Sequence, residues 1–225
     1  MNDIDSDGLF KLFQFVANLK EEARDGWNNR ALRRRVQDAE SVAEHSMGAV
    51  ILGMVIPLVI VRLQLNRERL MVILAVHDLE EILTRDINIY TAMTDLERNQ
   101  IKAAKKRKTK AAMRKIRMAL GSHLGEFVCA AHKEYEDGQT PESRIAKEID
   151  KLEVALQAWH YYQRGHKIDP REFYTNSMEK LATIELIKFM EKQLKPRLPT
   201  EAQVKARFKT AKVMKSHAAK QKRSR

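Results

Sequence analysis

The chain has 225 residues, enough for one domain with a full hydrophobic core, and eight Gly, five Pro and 6% aromatics against many Ala, Leu, Met, Lys and Glu favour helix over sheet. A single cysteine, Cys129, excludes an internal disulfide and suits a reducing interior. The formal net charge is +12, but residues 192–225 hold 12 Lys+Arg against the one acid Glu201, a net of +11, which leaves +1 for residues 1–191; the basic character belongs to a tail and excludes a fold-wide nucleic-acid surface.

The acidic start lacks the basic n-region and apolar run of a signal peptide. Residues 9–23 carry Leu9, Leu12, Phe13, Phe15, Val16 and Leu19 as a helical stripe, closed by Asp25-Gly26-Trp27. Residues 28–36 read as a loop or short helical insertion with four arginines, Arg30, Arg33, Arg34 and Arg35. Ser41 followed by Glu44 is a capping box that starts a second helix. Its apolar stretch, residues 47–61, is 15 residues long and contains Pro57, which is expected to kink or end the helix near Ile56. A membrane span needs about 20 residues, so this helix is expected to be almost wholly buried in a core. His45 lies about one turn into it and reads either as a satisfied core histidine or as a ligand.

A third helix, residues 66–76, ends on His77-Asp78, with Glu81 three residues on and Asp86 five further. Adjacent helical residues point about 100° apart, so both members of the doublet reach one ligand only from a helix end or with other donors closing the ring. Thr94 caps a long charged helix, residues 95–120, whose segment 101–117 holds nine basic residues and no acid; this is either a solvated face or a phosphate-attracting rim. Gly121-Ser122 breaks the pattern, a further helix covers 123–135, and Asp137-Gly138 is a turn. Residues 141–163 form a strong helix in which Asp150 falls beside the core positions Ile149 and Leu152, a place for an arginine salt bridge or a metal. The last helix is expected over 173–194, before Pro196 and Pro199, and residues 200–225 are expected to be mobile or only transiently helical.

Together these residues offer two imidazoles and two carboxylates, His45, His77, Asp78 and Asp150, each next to apolar core positions of a helical bundle. Such a donor set suits a divalent ion such as Mn²⁺, Co²⁺, Fe²⁺, Zn²⁺ or Mg²⁺. Four protein donors leave octahedral positions for water and an anionic oxygen, so no separate nucleophile is needed.

His45…His77-Asp78…Asp150 resembles the H…HD…D signature of the HD-domain metal-dependent phosphohydrolases. Ser41-Val42-Ala43-Glu44-His45 is similar to the S-V-[SA]-[DE]-H of the 5′-deoxynucleotidase branch. His77-Asp78-Leu79-Glu80-Glu81 with Thr84-Arg85-Asp86-Ile87 resembles its H-D-x-x-E…G-D-I, and Asp150-Lys151-Leu152-Glu153 with Gln157-Ala158 its D-K-x-E…Q-A helix. Leu19-Lys20, Gly26-Trp27 and Phe173-Tyr174 fit as well, so the resemblance spans roughly residues 8–192. It implies an all-α HD-domain bundle over residues 1–194 that forms a homodimer; the charge pattern adds a basic tail over 195–225, and the composition and short apolar run a cytoplasmic protein without a membrane segment. It implies hydrolysis of deoxynucleoside 5′-monophosphates, with His45, His77, Asp78 and Asp150 as metal ligands and Glu81 as the acid/base or water-orienting carboxylate. Asp86 would contact the sugar, and Trp27 would either lie near the nucleotide or serve as a packing anchor, beside a phosphate-gripping arginine for which Arg30 and Arg35 are the candidates. The sequence departs from the pattern in its longer segment between Trp27 and Val36 and in Arg85, which stands where the branch has Gly. Two other readings are release of triphosphate from deoxynucleoside triphosphates, and nucleic-acid contact through residues 195–225.

Overall fold

The structure is a computed structural model that describes residues 6–27, 36–85 and 94–209. Expectations for Arg30, Arg35, Asp86 and residues 210–225 lie outside the described residues. The described chain is helical, with one isolated bridge, Ala23 to Ser41, and no strand among the described residues. It divides into two compact units, residues 1–26 with 39–150, and residues 27–38 with 151–225.

The first unit holds α1 (Ser6–Glu21), α2 (Val42–Val59), α3 (Arg67–Val76), α4 (Glu81–Thr84), α5 (Asp95–Asp137) and the start of α6 (Pro141–Gln163). The capping box at Ser41 forms as expected: Ser41 Oγ accepts from the Glu44 amide and Glu44 accepts from the Ser41 amide at 2.6 Å. Val42 N donates to Glu22 O at 3.0 Å, so the end of α1 is tied to the start of α2. Pro57 does not end α2; the helix runs on to Val59. The packing of α2 corrects the expectation of a wholly buried helix. One face, with Val42, His45, Ala49, Gly53 and Ile56, is buried, and Gly53 approaches α3 so closely that a Cβ there would lie 2.4 Å from Leu74 Cδ1. The other face leaves Met47, Ile51, Met54, Val55 and Leu58 exposed. By length and composition alone α2 could also cross a membrane; a helix apolar on all sides carries no record of which side is covered.

The Gly121-Ser122 break is a hairpin bend within α5. Gly121 has φ 77° and ψ 177°, a conformation open in practice only to glycine. The two arms then run back along each other: Cys129 Sγ contacts Met113 O at 3.4 Å and Arg117 pairs with Glu126. Between them Gly125 lies against the Arg117 backbone. Met113, Ile116 and Leu120 of the first arm and Val128 of the second join Leu19, Val42 and Leu79 in the core of this unit.

Arg85 ends α4 with φ 61° and ψ 158°, nearly the backbone conformation of Gly121, but on a side chain with a Cβ. That explains physically why a glycine suits this position. The strain of such a residue is about 1–3 kcal/mol, partly offset by the greater unfolded-state freedom of glycine. Arg85→Gly should therefore stabilise the protein by about 1 kcal/mol, raising Tm by roughly 2–4 °C. A fall in Tm on calorimetry would show that the backbone is not strained there.

In the second unit Trp27 packs between Phe173, stacked at 5.0 Å between centroids, and Tyr161, edge-on at 5.1 Å. The expected single helix over 173–194 starts earlier and is broken. α7 (Pro170–Met178) is capped by Asp169, and α8 (Ile184–Phe189) continues as a π turn, Met190–Leu194. The break at 179–183 buries Leu181 and Thr183 and restarts an apolar stripe of Leu186, Met190 and Leu194 at four-residue spacing. Ser177 Oγ donates to Lys151 O at 2.6 Å, fastening α7 to α6. Residues 201–209, expected to be transient helix at most, form a helical segment with Val204 buried. Its Arg207 guanidinium lies 4.1 Å over the Tyr162 ring, a cation–π contact.

Candidate metal centre

Four side chains of the first unit converge. His45 comes from the first turn of α2, His77 is the residue that caps α3, Asp78 follows it in the turn before α4, and Asp150 lies on α6. The doublet is thus at a helix end, the placement that lets both residues serve one centre. His45 Nε2 is 3.4 Å from His77 Nε2, 3.3 Å from Asp150 Oδ1 and 3.8 Å from Asp78 Oδ2, and His77 Nε2 is 3.3 Å from Asp78 Oδ2. His45, His77 and Asp150 are buried and present ligand atoms within 4.8 Å of one another.

A second layer orients these donors. His77 Nδ1 lies 2.7 Å from Leu74 O, a carbonyl that only accepts, so Nδ1 carries a proton and Nε2 is the ring atom turned inward, the one that would ligate a cation on giving up its own proton. Tyr135, on the second arm of α5, donates its hydroxyl to Asp150 Oδ2 at 2.9 Å and leaves Oδ1 facing His45. Burial, then the Asp150 and Asp78 carboxylates, push the Tyr135 pKa well above its ordinary value, so it stays a donor. Burial opposes protonation of His77, but Asp78 and Asp150 outweigh it and raise its pKa to about 9. Burial likewise opposes ionisation of Asp78, yet His77 and His45 hold its carboxyl far below the usual range. The cluster therefore demands positive charge at its centre. A divalent cation satisfies that demand with the same four donors, and the chemistry of the set fits it.

Next to the cluster, two consecutive carboxylates are each bound by α5. Glu80 accepts from His132 Nε2 at 2.9 Å, both side chains being buried, and Glu81 Oε1 lies 3.5 Å from Lys105 Nζ. Tyr135, His132 and Lys105 escaped the sequence reading. The only trace of the first two is their spacing, three apart on the side of the second arm that also buries Val128 and Ala131. At 2% exposure, with Phe173 stacked on it and Tyr161 edge-on, Trp27 is placed as a packing anchor of the second unit.

A family model described as HD domain matches residues 16–191. The 5′-deoxynucleotidase HDDC2 of Danio rerio is 31% identical over 172 residues, 76% of this chain and 78% of that protein. The human 5′-deoxynucleotidase HDDC2 is 30% identical over 183 residues, covering 81% and 82%. Among solved structures, the PH0347 protein of Pyrococcus horikoshii superposes with a TM-score of 0.61 at 26% identity, over 84% of this chain and 97% of that one.

Proposed function

This chain belongs to the HD-domain family, and we propose that it is a metal-dependent 5′-deoxynucleotidase that hydrolyses deoxynucleoside 5′-monophosphates to nucleoside and phosphate. The observation that carries this reading is the convergence of His45, His77, Asp78 and Asp150 on one buried centre. A divalent cation held there, Mn²⁺, Co²⁺, Mg²⁺, Fe²⁺ or Zn²⁺, supplies Lewis acidity that makes water nucleophilic at neutral pH and offsets charge on the phosphoryl group. The chain's own residues do the rest. Leu74 O and Tyr135 fix the His77 ring and the Asp150 carboxylate. Glu81 accepts a proton from the attacking water as its oxygen bonds to phosphorus, and returns it to the 5′-oxygen as the P–O bond breaks. An arginine, Arg30 or Arg35, neutralises the phosphate, and Asp86 accepts from the sugar 3′-hydroxyl while leaving little room for a 2′-hydroxyl.

The exposed stripe Met47, Ile51, Met54, Val55 and Leu58 supports a homodimer. It is uncharged, runs along one helix face and can meet itself about a two-fold axis, and burying it removes the need for a membrane. The test is a panel of deoxy- and ribonucleotides with each metal, run on detergent-free protein whose mass is measured in the same buffer. Inorganic phosphate from deoxynucleoside monophosphates and a dimeric mass are expected. Triphosphate released from deoxynucleoside triphosphates would move the activity to the other reading, and a monomeric mass would remove the dimer.

A further inference from the structure

We propose that Lys105 is a positioning residue for Glu81, anchoring the carboxylate in the orientation that proton transfer requires; this rests on the role given to Glu81 above. Glu81 opens α4, a helix of only four residues, and its side chain is 4% exposed. A carboxylate so enclosed needs a cation or donors to hold it. Lys105, on the first arm of α5, brings Nζ to 3.5 Å from Glu81 Oε1 with its own side chain 32% exposed. The other eight basic residues between 101 and 117 are exposed; Lys105 alone is drawn inward. A merely solvated basic face gives no reason for that exception.

The neighbouring carboxylate sharpens the assignment. Glu80 is engaged by His132 of the second arm at 2.9 Å. Two adjacent acids are therefore taken by different arms of one hairpin, and Glu81 is the one whose clamp reaches solvent. An ion pair of 3.5 Å through a flexible, rotating ammonium sets a direction without the rigid fork an arginine imposes. It holds the carboxylate while leaving it free to exchange a proton with water and leaving group.

The experiment compares Lys105→Met, Lys105→Gln, Lys105→Arg, Glu81→Gln and the Lys105→Met/Glu81→Gln pair in the full chain loaded with Mn²⁺, measuring kcat, KM for a deoxynucleoside monophosphate, and bound metal. Lys105→Met and Lys105→Gln should each lower kcat about 10- to 100-fold, as loss of an outer orienting partner does, with KM and metal content unchanged. Lys105→Arg, which keeps the charge but imposes the fork, should recover part of the loss and no more. In the Glu81→Gln background, Lys105→Met should cost nothing further, because there is no longer a base to position. Neutral variants with wild-type kcat, or with raised KM at unchanged kcat, overturn the proposal; the second result makes Lys105 a ground-state contact to substrate. If Glu81→Gln retains wild-type kcat, the assignment of Glu81 itself fails. If Glu81→Gln is inactive while the neutral Lys105 variants are not, only the positioning role fails.

Discussion

His77→Ala and Asp150→Asn should each abolish phosphohydrolysis and empty the metal centre, the largest functional effect expected of any single change here. Each alters one of four donors, three of which lie 3.3–3.8 Å from His45 Nε2. The two fail for different physical reasons. Alanine at 77 deletes the imidazole whose Nε2 faces His45, Asp78 and the centre, and leaves the half-buried Asp78 without its main counter-charge. Asparagine at 150 keeps the shape and can still bond to Tyr135, but lowers the negative charge that draws a cation in. Metal content by atomic absorption and phosphate release on the same samples check this. A variant that keeps both removes its residue from the centre. Tm gives a further reading. In metal-free protein the raised pKa of His77 makes its protonated form contribute stability, fully present below about pH 6.5 and lost as pH rises through about 9. His77→Ala should therefore cost metal-free protein more stability at pH 6 than at pH 10.

What could be read from the sequence follows the range of the interactions. His77 at a helix end, the capping box at Ser41, the N-cap at Thr94, the bend at Gly121 and the bounds of α6 are local, set within a turn or two, and the structure keeps them. The outward face of α2 was not legible, because Met47, Ile51 and Leu58 are as apolar as the residues they alternate with. The break at 179–183 has neither glycine nor proline to announce it; burial of Leu181 decides it. In α6 the buried stripe continues from Ile149 and Leu152 through Ala155 and Ala158, where Leu156 and Trp159 look the stronger core residues. Small side chains permit a close approach that hydrophobicity alone does not signal. His132 with Glu80 and Lys105 with Glu81 are partners across 52 and 24 positions, so neither pair leaves a pattern along the chain.

Gly125→Ala should destabilise the protein more than any other glycine-to-alanine change that keeps φ negative. The methyl would lie 2.4 Å from Arg117 O and 3.0 Å from Arg117 Cα, and both are backbone atoms that no rotamer change can move aside. At Gly53 the same substitution meets only the tip of Leu74, which can swing. Relief at 125 requires the arms of α5 to part. Overpacking costs about 1–3 kcal/mol where side chains can yield, and a backbone-to-backbone clash belongs at or beyond the upper end, a fall in Tm of roughly 6–12 °C for a chain of this size. The damage should reach the chemistry, because the first arm carries Lys105 and the second carries His132 and Tyr135, the partners of Glu81, Glu80 and Asp150. Below its lowered Tm, Gly125→Ala should therefore show reduced kcat and weaker metal retention, whereas Gly53→Ala should lose less stability and keep kcat. Equal Tm losses in the two variants would mean that the arms have room to separate, and would leave the centre independent of how tightly they close.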